Sequence, residues 1–200
     1  MPGFELAVEL LSEKREPHVF EVDADWWADR NPQDGPERCE VETPFRFAFE
    51  VSRVRDQIIL EGDFSGQISL ECSRCAKRYS HALRDSFRLV LTPVKDRRSV
   101  GPERDPIALD PEGERGLAEN GLCLGEDLDA GTYRGPVIRL DDFFSEVIAL
   151  AMPLQPLCQS DCPGICPHCG VDRAETRCDC VDAKIESPFA VLAQLKGKID

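Results

Sequence analysis

Alternation of apolar and polar residues is clearest in the first half of the chain, from Pro44 onward, and predicts β-strands there. One run places its large apolar residues at every second position: Phe45, Phe47, Phe49 and Val51. The stretches 57–64 and 67–72 follow, and residues 81–91 repeat the pattern through Leu83, Phe87, Leu89 and Leu91. A period of two places one face of a strand in a core and the other in solvent. Because only short loops separate these runs, they predict an antiparallel β meander.

Two helices are predicted nearer the C-terminus. In the first, Asp141 or Asp142 offers an N-cap, and Pro153 ends the helix. Its apolar face comprises Phe143, Phe144, Val147, Ile148 and Ala151. The second helix begins at Ser187 and Pro188, its apolar stripe consists of Phe189, Leu192 and Leu195, and Lys196 and Lys198 lie near its negative end. The chain is therefore expected to have an α+β fold.

Composition divides the chain into three parts. Between Gly101 and Asp142 eleven acidic residues face four arginines, a net charge of −7. We therefore expect a mainly β region over 1–95 carrying the first cysteine knuckle, an acidic loop or linker over 96–136, and helices with a zinc-ribbon-like segment over 137–200. The middle part is expected to be largely irregular. It is interpreted either as a solvated linker or as an acidic arm that docks a basic partner. Residues 1–40 fit no single pattern, since "FELAVELL" suits a strand or a short helix.

Charge restricts the partners of this protein. The 200 residues carry a net charge of −14 and an isoelectric point near 4.7, whereas a protein that coats nucleic acid non-specifically needs a basic face. A basic partner, or contact through a local basic patch, fits better. No signal peptide and no run of about 18 apolar residues is visible. A cytoplasmic location without membrane contact is therefore expected.

Eight of the ten cysteines form close pairs, which indicates metal binding in a reducing compartment. The pairs are Cys72 with Cys75, Cys158 with Cys162, Cys166 with Cys169, and Cys178 with Cys180. Cys166 and Cys169 lie close enough in sequence to share an ion with the last pair, which leaves the first two pairs, separated by 82 residues, as another site. Two structural zinc ions are therefore expected, and the second of these sites would tie the strand meander to the C-terminal segment. Cys39 and Cys123 stand alone.

Groups of four cysteines also have uses other than structural zinc. An iron–sulfur cluster also takes four thiolates, and this alternative stays open. Catalytic zinc usually keeps a position for water, whereas each group here supplies four thiolates, which argues against a zinc hydrolase or nuclease. His168 is expected to be exposed rather than metal-bound. A thiol redox switch that ejects zinc is a further variant.

Near the first cysteine pair the sign of the charge reverses. Between Arg74 and Arg88 five cations face one acidic residue, Asp85, a local charge of +4. These candidate RNA-binding residues are Arg74, Lys77, Arg78, Arg84 and Arg88. The alternative to RNA binding is that these residues form the solvated face of a strand, where their cations balance nearby acidic residues.

Three stretches together resemble a known family. They are "ILEGDFSGQISLECSRCAKRYSHALRDSF", "ALAMPLQPLCQSDCPGICPHCGVDRAETRCDC" and "SPFAVLAQLKGK", and they are similar to the YceD family of large ribosomal RNA subunit accumulation proteins. The resemblance runs from about residue 44 to 198. It implies a bacterial or plastid protein needed for accumulation of large-subunit ribosomal RNA, with no catalytic residues to carry over. It also implies the same cysteine grouping, since some members keep the first site while losing most of the second.

The prediction is a non-enzymatic factor in large ribosomal subunit biogenesis without a small-molecule substrate. It would bind precursor RNA through the Arg74–Arg88 stretch, or a basic large-subunit ribosomal protein through the acidic stretch. A zinc-ribbon adaptor acting on the transcription machinery is the alternative, which co-purification with polymerase subunits would distinguish.

Overall fold

A computed structural model describes residues 3–32, 39–94, 111–126 and 128–180. In chain order the strands, the 3-10 helix and the α-helices are β1 Glu5–Ala7, the 3-10 helix Val8–Leu10, β2 Glu16–Val22, α1 Ala24–Arg30, β3 Cys39–Val54, β4 Gln57–Glu71, β5 Arg78–Pro93, α2 Pro111–Glu119, β6 Leu122–Leu124, β7 Ala130–Tyr133, β8 Val137–Arg139 and α3 Asp141–Ala151. The described chain divides into two compact units. The first contains residues up to 73 and from 77 to 158, and the second contains 74–76 and residues from 159 onward.

A six-stranded sheet in the order β2-β3-β4-β5-β7-β6 forms the first unit, together with the β1–β8 pair. Neighbouring strands from β2 to β5 run antiparallel, whereas β7 runs parallel to β5. The predicted meander and the α+β class are therefore confirmed. Pro44 lies where the register between β3 and β4 shifts. It directly precedes Phe45, where the pairing of β3 with β2 ends. Its missing N–H is tolerated at such an irregularity.

The core lies on one face of this sheet, where α3 packs. The buried strand residues are those that the alternation predicts, with Phe45, Phe47, Ile58, Leu60, Leu83, Leu89 and Leu91 at most 2% exposed. Phe144 of α3 centres an aromatic cluster, since its ring centroid lies 4.4 Å from that of Phe47, 5.4 Å from Phe49 and 5.5 Å from Phe20. Full burial of each such side chain contributes roughly 1.5–3 kcal/mol. This core therefore holds the strand from which the first cysteine knuckle projects.

The N-terminal residues, which the sequence pattern left ambiguous, contribute an edge strand and a short helix. Asp23 caps α1 by accepting a hydrogen bond from the Trp26 amide at 3.0 Å. Trp26 and Trp27 are 3% and 2% exposed. Trp27 packs on Phe45 with 5.9 Å between ring centroids, so α1 covers part of the same core.

The N-cap predicted for α3 is wrong. The N-cap is Leu140, without a side-chain capping bond. Asp141 is instead buried in the first helical turn, where its Oδ1 accepts a hydrogen bond from Trp26 Nε1 at 3.0 Å and lies 3.2 Å from an Arg30 guanidinium nitrogen. Asp142 accepts a 2.6 Å hydrogen bond from Asn120 Nδ2. Both carboxylates are thus used for tertiary contacts, which sequence periodicity does not reveal.

Residues 111–133 also differ from the irregular stretch expected there. They contain α2, β6 and β7, and the two strands extend the sheet beyond β5. Leu117, Leu122 and Tyr133 are buried, and the Tyr133 hydroxyl donates to the Asp56 carbonyl at 3.0 Å. Their apolar residues are too sparse to give a periodic signal. The predicted helix from Ser187 lies outside the described residues, and no helix within the described ranges is long and apolar enough to cross a membrane.

The described residues of the second unit form almost no apolar core. Its buried described residues are Cys75, Cys162, Gly164 and Cys166. Backbone hydrogen bonds organise it: the Ile165 amide donates to the Arg74 carbonyl at 3.1 Å, and the Arg173 amide donates to the Gly164 carbonyl at 3.0 Å. Because these described residues bury no aliphatic or aromatic side chain, they require another source of stability.

Candidate metal centres

The first knuckle, residues 72–77, connects the end of β4 to the start of β5. The Cys72 amide donates to the Lys77 carbonyl at 2.9 Å and closes the turn. Ala76, directly after the second cysteine, has a φ of 57°. Cys72 and Cys75 are 2% and 7% exposed. The long β-hairpin therefore presents two cysteines from one tight turn.

The second knuckle, residues 166–171, has the same local geometry. The Gly170 amide donates to the Cys166 carbonyl at 2.9 Å, and the Cys166 amide donates to the Val171 carbonyl at 2.8 Å. Gly170 has a φ of 73°, the left-handed conformation that glycine adopts without strain. The glycine therefore serves the turn directly after the second cysteine. His168 is exposed, as expected, and belongs to neither cysteine group.

The eight paired cysteines form two groups of four, with the predicted membership. Tetrad 1 comprises Cys72, Cys75, Cys158 and Cys162, and tetrad 2 comprises Cys166, Cys169, Cys178 and Cys180. Within each tetrad the sulfur atoms all lie within 4.8 Å of one another. Cys39 and Cys123 belong to neither tetrad. Spacing along the sequence thus predicted which thiols converge in tetrad 2, and elimination of those pairs predicted tetrad 1.

The donor set fits a four-coordinate soft metal ion. Four sulfurs at about 2.3 Å from a tetrahedral zinc ion lie about 3.8 Å from one another, and the upper limit of 4.8 Å within each tetrad is compatible with that spacing. None of the ten cysteines forms a disulfide. The tetrads differ in exposure, since three cysteines of tetrad 1 are buried, whereas in tetrad 2 only Cys166 is.

The thiols of tetrad 2 differ strongly in acidity. Backbone amides of Cys169 and His168 donate toward the Cys166 sulfur and lower its pKa to about 6. The pKa of Cys180 is raised to about 12, first by its hydrogen bond to Cys169 and then by burial. The pKa of Cys178 is raised mainly by its hydrogen bond to Cys166. Cys166 is therefore the thiol whose surroundings best stabilise a thiolate, the form that binds a metal.

Two side chains near the tetrads were not recognised as metal-site neighbours from the sequence. An Arg173 guanidinium nitrogen lies 3.9 Å from Cys166 Sγ in a hydrogen bond. Burial raises the pKa of Tyr79, and the charges of the Cys72 and Cys158 sulfurs raise it further, partly offset by the Leu157 amide. The sequence signal for the contact of Arg173 with Cys166 was the presence of a cation in the loop between the two cysteine pairs.

The five candidate RNA-binding residues are exposed. Arg78, Arg84 and Arg88 lie on one face of β5, opposite its buried leucines. Arg88 lies 2.9 Å from Glu61, and Arg78 lies 3.3 Å from Glu40. The remaining two lie in the first knuckle, where the Arg74 guanidinium donates to the Cys162 carbonyl at 3.0 Å. The cations thus do not form one unpaired patch, and RNA binding by them stays a prediction.

Comparison with known proteins identifies the family. The profile described as "Large ribosomal RNA subunit accumulation protein YceD" matches residues 60–196. The chloroplastic YCED homolog 1 of Arabidopsis thaliana is 22% identical over 169 residues, which cover 78% of this chain and 50% of that protein. The Zea mays homolog 1 is 25% identical over 169 residues, covering 80% and 55%. An uncharacterised Mycobacterium tuberculosis protein is 25% identical over 124 residues, covering 62% and 49%.

The chain spans about half the length of the curated relatives it matches. No solved structure matches it. The matched residues include both cysteine knuckles and all eight cysteines of the tetrads, and they make up well over half of the 200 residues. The chain therefore belongs to the YceD family of large ribosomal RNA subunit accumulation proteins.

Proposed function

We propose that this protein is a non-enzymatic factor in large ribosomal subunit biogenesis that supports accumulation or processing of large-subunit ribosomal RNA. The family match over residues 60–196 carries this proposal. The plant relatives named for large ribosomal RNA subunit accumulation are chloroplastic. A bacterial chain of this kind would act in the cytoplasm, where ribosomes assemble.

Each tetrad is proposed to hold one structural zinc ion. Cys72, Cys75, Cys158 and Cys162 would hold one ion, and Cys166, Cys169, Cys178 and Cys180 the other. Four thiolates complete a tetrahedral shell and leave no coordination position for a reacting water. The ions would therefore supply folding energy and rigidity rather than chemistry. Eight thiolates with two Zn²⁺ add −4 to the net charge, so the loaded protein is still more acidic.

The partner is proposed to be precursor ribosomal RNA or a basic ribosomal protein of the large subunit, and the ion pairs favour the protein. On the sheet face away from the core, a shallow cavity of about 760 Å³ is lined by arginines and carboxylates together. Arg15 lies 3.3 Å from both Glu50 and Glu61, and Arg88 also pairs with Glu61. A phosphate backbone would have to displace these carboxylates, whereas a basic polypeptide can pair with them.

A deletion strain tests the function. Loss of the protein is expected to reduce mature large-subunit ribosomal RNA relative to small-subunit RNA, and wild-type protein is expected to restore it. A variant lacking tetrad 1, Cys72→Ser with Cys75→Ser, should fail to restore it, whereas Cys123→Ser, outside both tetrads, should succeed. Normal ribosomal RNA in the deletion strain would overturn the proposal.

Partner identity is tested by affinity capture of tagged protein, with its RNA sequenced and its proteins identified. Large-subunit ribosomal proteins that stay bound after ribonuclease treatment support a protein partner. Precursor RNA lost from Arg84→Glu but retained by the control Arg115→Glu, on α2, would favour RNA. Capture of polymerase subunits without either would support the transcription-adaptor alternative.

A further inference from the structure

Among the described residues, the cation Arg173 contacts a sulfur of tetrad 2 directly. An Arg173 guanidinium nitrogen lies 3.9 Å from Cys166 Sγ, with hydrogen-bond geometry. Cys166 is 1% exposed and Arg173 is half-buried. The contact is therefore partly buried, so water screens it less than it screens a fully exposed pair of charges.

Backbone hydrogen bonds hold Arg173 in this position. Its amide donates to the Gly164 carbonyl at 3.0 Å, and the neighbouring residues Ile165 and Asp172 form an isolated β-bridge. Asp172 also accepts backbone hydrogen bonds from Glu175 and Thr176 through its carbonyl oxygen. The loop that joins the two cysteine pairs is therefore folded back so that Arg173 reaches a sulfur.

The positive charge of Arg173 offsets the negative charge of a metal-loaded tetrad 2. Four thiolates around a divalent ion carry a net charge of −2. Asp172, Glu175 and Asp179 add negative charge in the same segment. A cation that donates a hydrogen bond to one thiolate lowers the repulsion among all four and orients that sulfur. In tetrad 1 the corresponding arginine, Arg74, donates to the Cys162 carbonyl rather than to a sulfur.

We propose that Arg173 is the positioning residue of tetrad 2, whose hydrogen bond to Cys166 sets how tightly this tetrad holds its metal ion. The inference rests on the metal binding proposed above. It concerns tetrad 2 alone and makes no use of ribosome binding. Because it needs only the chain and a metal ion, it is tested in purified protein.

The experiment compares two variants of the full chain, each of which replaces one arginine by an uncharged glutamine. Arg173→Gln removes the cation next to Cys166, and Arg177→Gln removes an exposed cation from the same loop. Each zinc-loaded protein competes with a chromogenic chelator of known affinity. Loss of an outer-shell partner typically weakens metal binding by about 10–100-fold. Arg173→Gln should weaken one of two zinc equivalents by this factor, whereas Arg177→Gln should change affinity by less than about threefold, since salt screens an exposed charge.

A variant that lacks two cysteines of tetrad 2 shows which tetrad holds the weakened zinc ion. With Cys178→Ser and Cys180→Ser, tetrad 2 no longer binds, and Arg173→Gln should leave the remaining equivalent unchanged. Arg173→Lys retains the positive charge and should stay closer to wild type. In cobalt-loaded protein, loss of the hydrogen bond should shift the thiolate-to-cobalt charge-transfer band to longer wavelength in Arg173→Gln only. A purely structural role for Arg173 would not move this band.

The outcomes separate two failures. If wild-type protein binds no metal, the proposed metal sites fail. If wild type binds two equivalents but Arg173→Gln matches Arg177→Gln in affinity and in the cobalt band, the role of Arg173 is overturned. If Arg173→Gln does not fold, the Arg173→Lys variant provides the test. A wild-type cobalt band together with a zinc affinity near that of Arg177→Gln supports the proposal. Loss of zinc binding, although the positive charge is retained, overturns it.

Discussion

At the scale of single residues, backbone conformation in and beside the second knuckle decides where a residue with a Cβ fits without strain. Gly164 has a φ of 72°, and a Cβ there would lie 2.9 Å from the Arg74 carbonyl oxygen. Gly170 has a φ of 73°, but a Cβ there would meet nothing within 4 Å. The left-handed conformation costs a residue with a Cβ about 1–2 kcal/mol. Gly164 therefore combines backbone strain with a close approach, whereas Gly170 has backbone strain only.

Substitution of these two glycines should separate the two effects. Gly170→Ala is expected to weaken zinc binding by about tenfold, which corresponds to the roughly 1.4 kcal/mol of conformational strain. Gly164→Ala should weaken it more, because overpacking against a backbone carbonyl adds about 1–3 kcal/mol. Zinc competition measurements on both variants provide the check. Equal effects would show that the Arg74 carbonyl moves aside at no cost.

The buried carboxylate of Asp141 is a second residue-scale determinant. It accepts the Trp26 indole hydrogen bond and pairs with Arg30, whose guanidinium also lies 4.3 Å above the Trp26 ring. Asp141→Asn should lower the free energy of unfolding by about 1–3 kcal/mol, because it weakens hydrogen bonds to a buried charged group. Asp142→Asn is the matched control at an exposed neighbour, expected to cost less than about 1 kcal/mol. Urea denaturation followed by tryptophan fluorescence measures both. A larger loss in Asp142→Asn would contradict the assigned role of Asp141.

At the scale of elements, the sequence predicted the parts that bury one continuous face. Strands β3 to β5 alternate because one side packs on Phe144 and its neighbours, and α3 has a broad apolar face. Strand β2 escaped prediction because Pro17 and a half-exposed His18 weaken its alternation. Helix α1 has only seven residues, too few for a period of 3.6 to be visible.

The cysteine tetrads were predictable for a different reason. Two cysteines separated by two residues already lie on one turn, so chain connectivity alone brings half of each site together. The neighbours of the sulfurs were not predictable in the same way. Arg173 reaches Cys166 only because residues 171–176 fold back on Gly164, and no spacing rule indicates that fold. The parallel pairing of β5 with β7 likewise depends on contacts distant in sequence.

Two glycines within β4 show how closely the sheet packs. A Cβ at Gly66 would lie 2.3 Å from Phe45 Cδ1, and one at Gly62 would lie 2.4 Å from the Ala48 carbonyl oxygen. Gly66→Ala and Gly62→Ala should each lower the free energy of unfolding by about 1–3 kcal/mol through overpacking, and Gly62→Ala by more because backbone rather than a ring is in the way. Ser65→Ala, on the exposed face of the same strand, should change it by less than about 0.5 kcal/mol. Thermal and urea unfolding of the three variants test this, and a Ser65 effect equal to the glycine effects would contradict it.

At the scale of the whole molecule, the two units are stabilised by different means. The first unit buries an aromatic and aliphatic core that includes Trp26 and Trp27, the only tryptophans in the chain. The second unit buries three cysteines and a glycine among its described residues. A structural zinc ion contributes about 10–16 kcal/mol in apparent terms, which is comparable to the total stability of an ordinary domain, about 5–15 kcal/mol.

Metal removal should therefore act on the second unit selectively. Exposure to a strong chelator at neutral pH is expected to abolish protection of the amides of Cys166, Gly170 and Arg173, which depend on the folded knuckle and loop. Amides in the middle of β3 to β5 and the fluorescence of the two tryptophans should stay unchanged, because the aromatic and aliphatic cluster around them contains no cysteine of either tetrad. Hydrogen exchange measured by mass spectrometry, with peptides from each unit resolved, tests this in one experiment. Restored zinc should restore protection, whereas magnesium should not, since a hard cation prefers oxygen ligands. If the knuckle amides keep their protection in chelator, the second unit is held by something other than metal–thiolate bonds, and the structural role proposed for tetrad 2 is wrong.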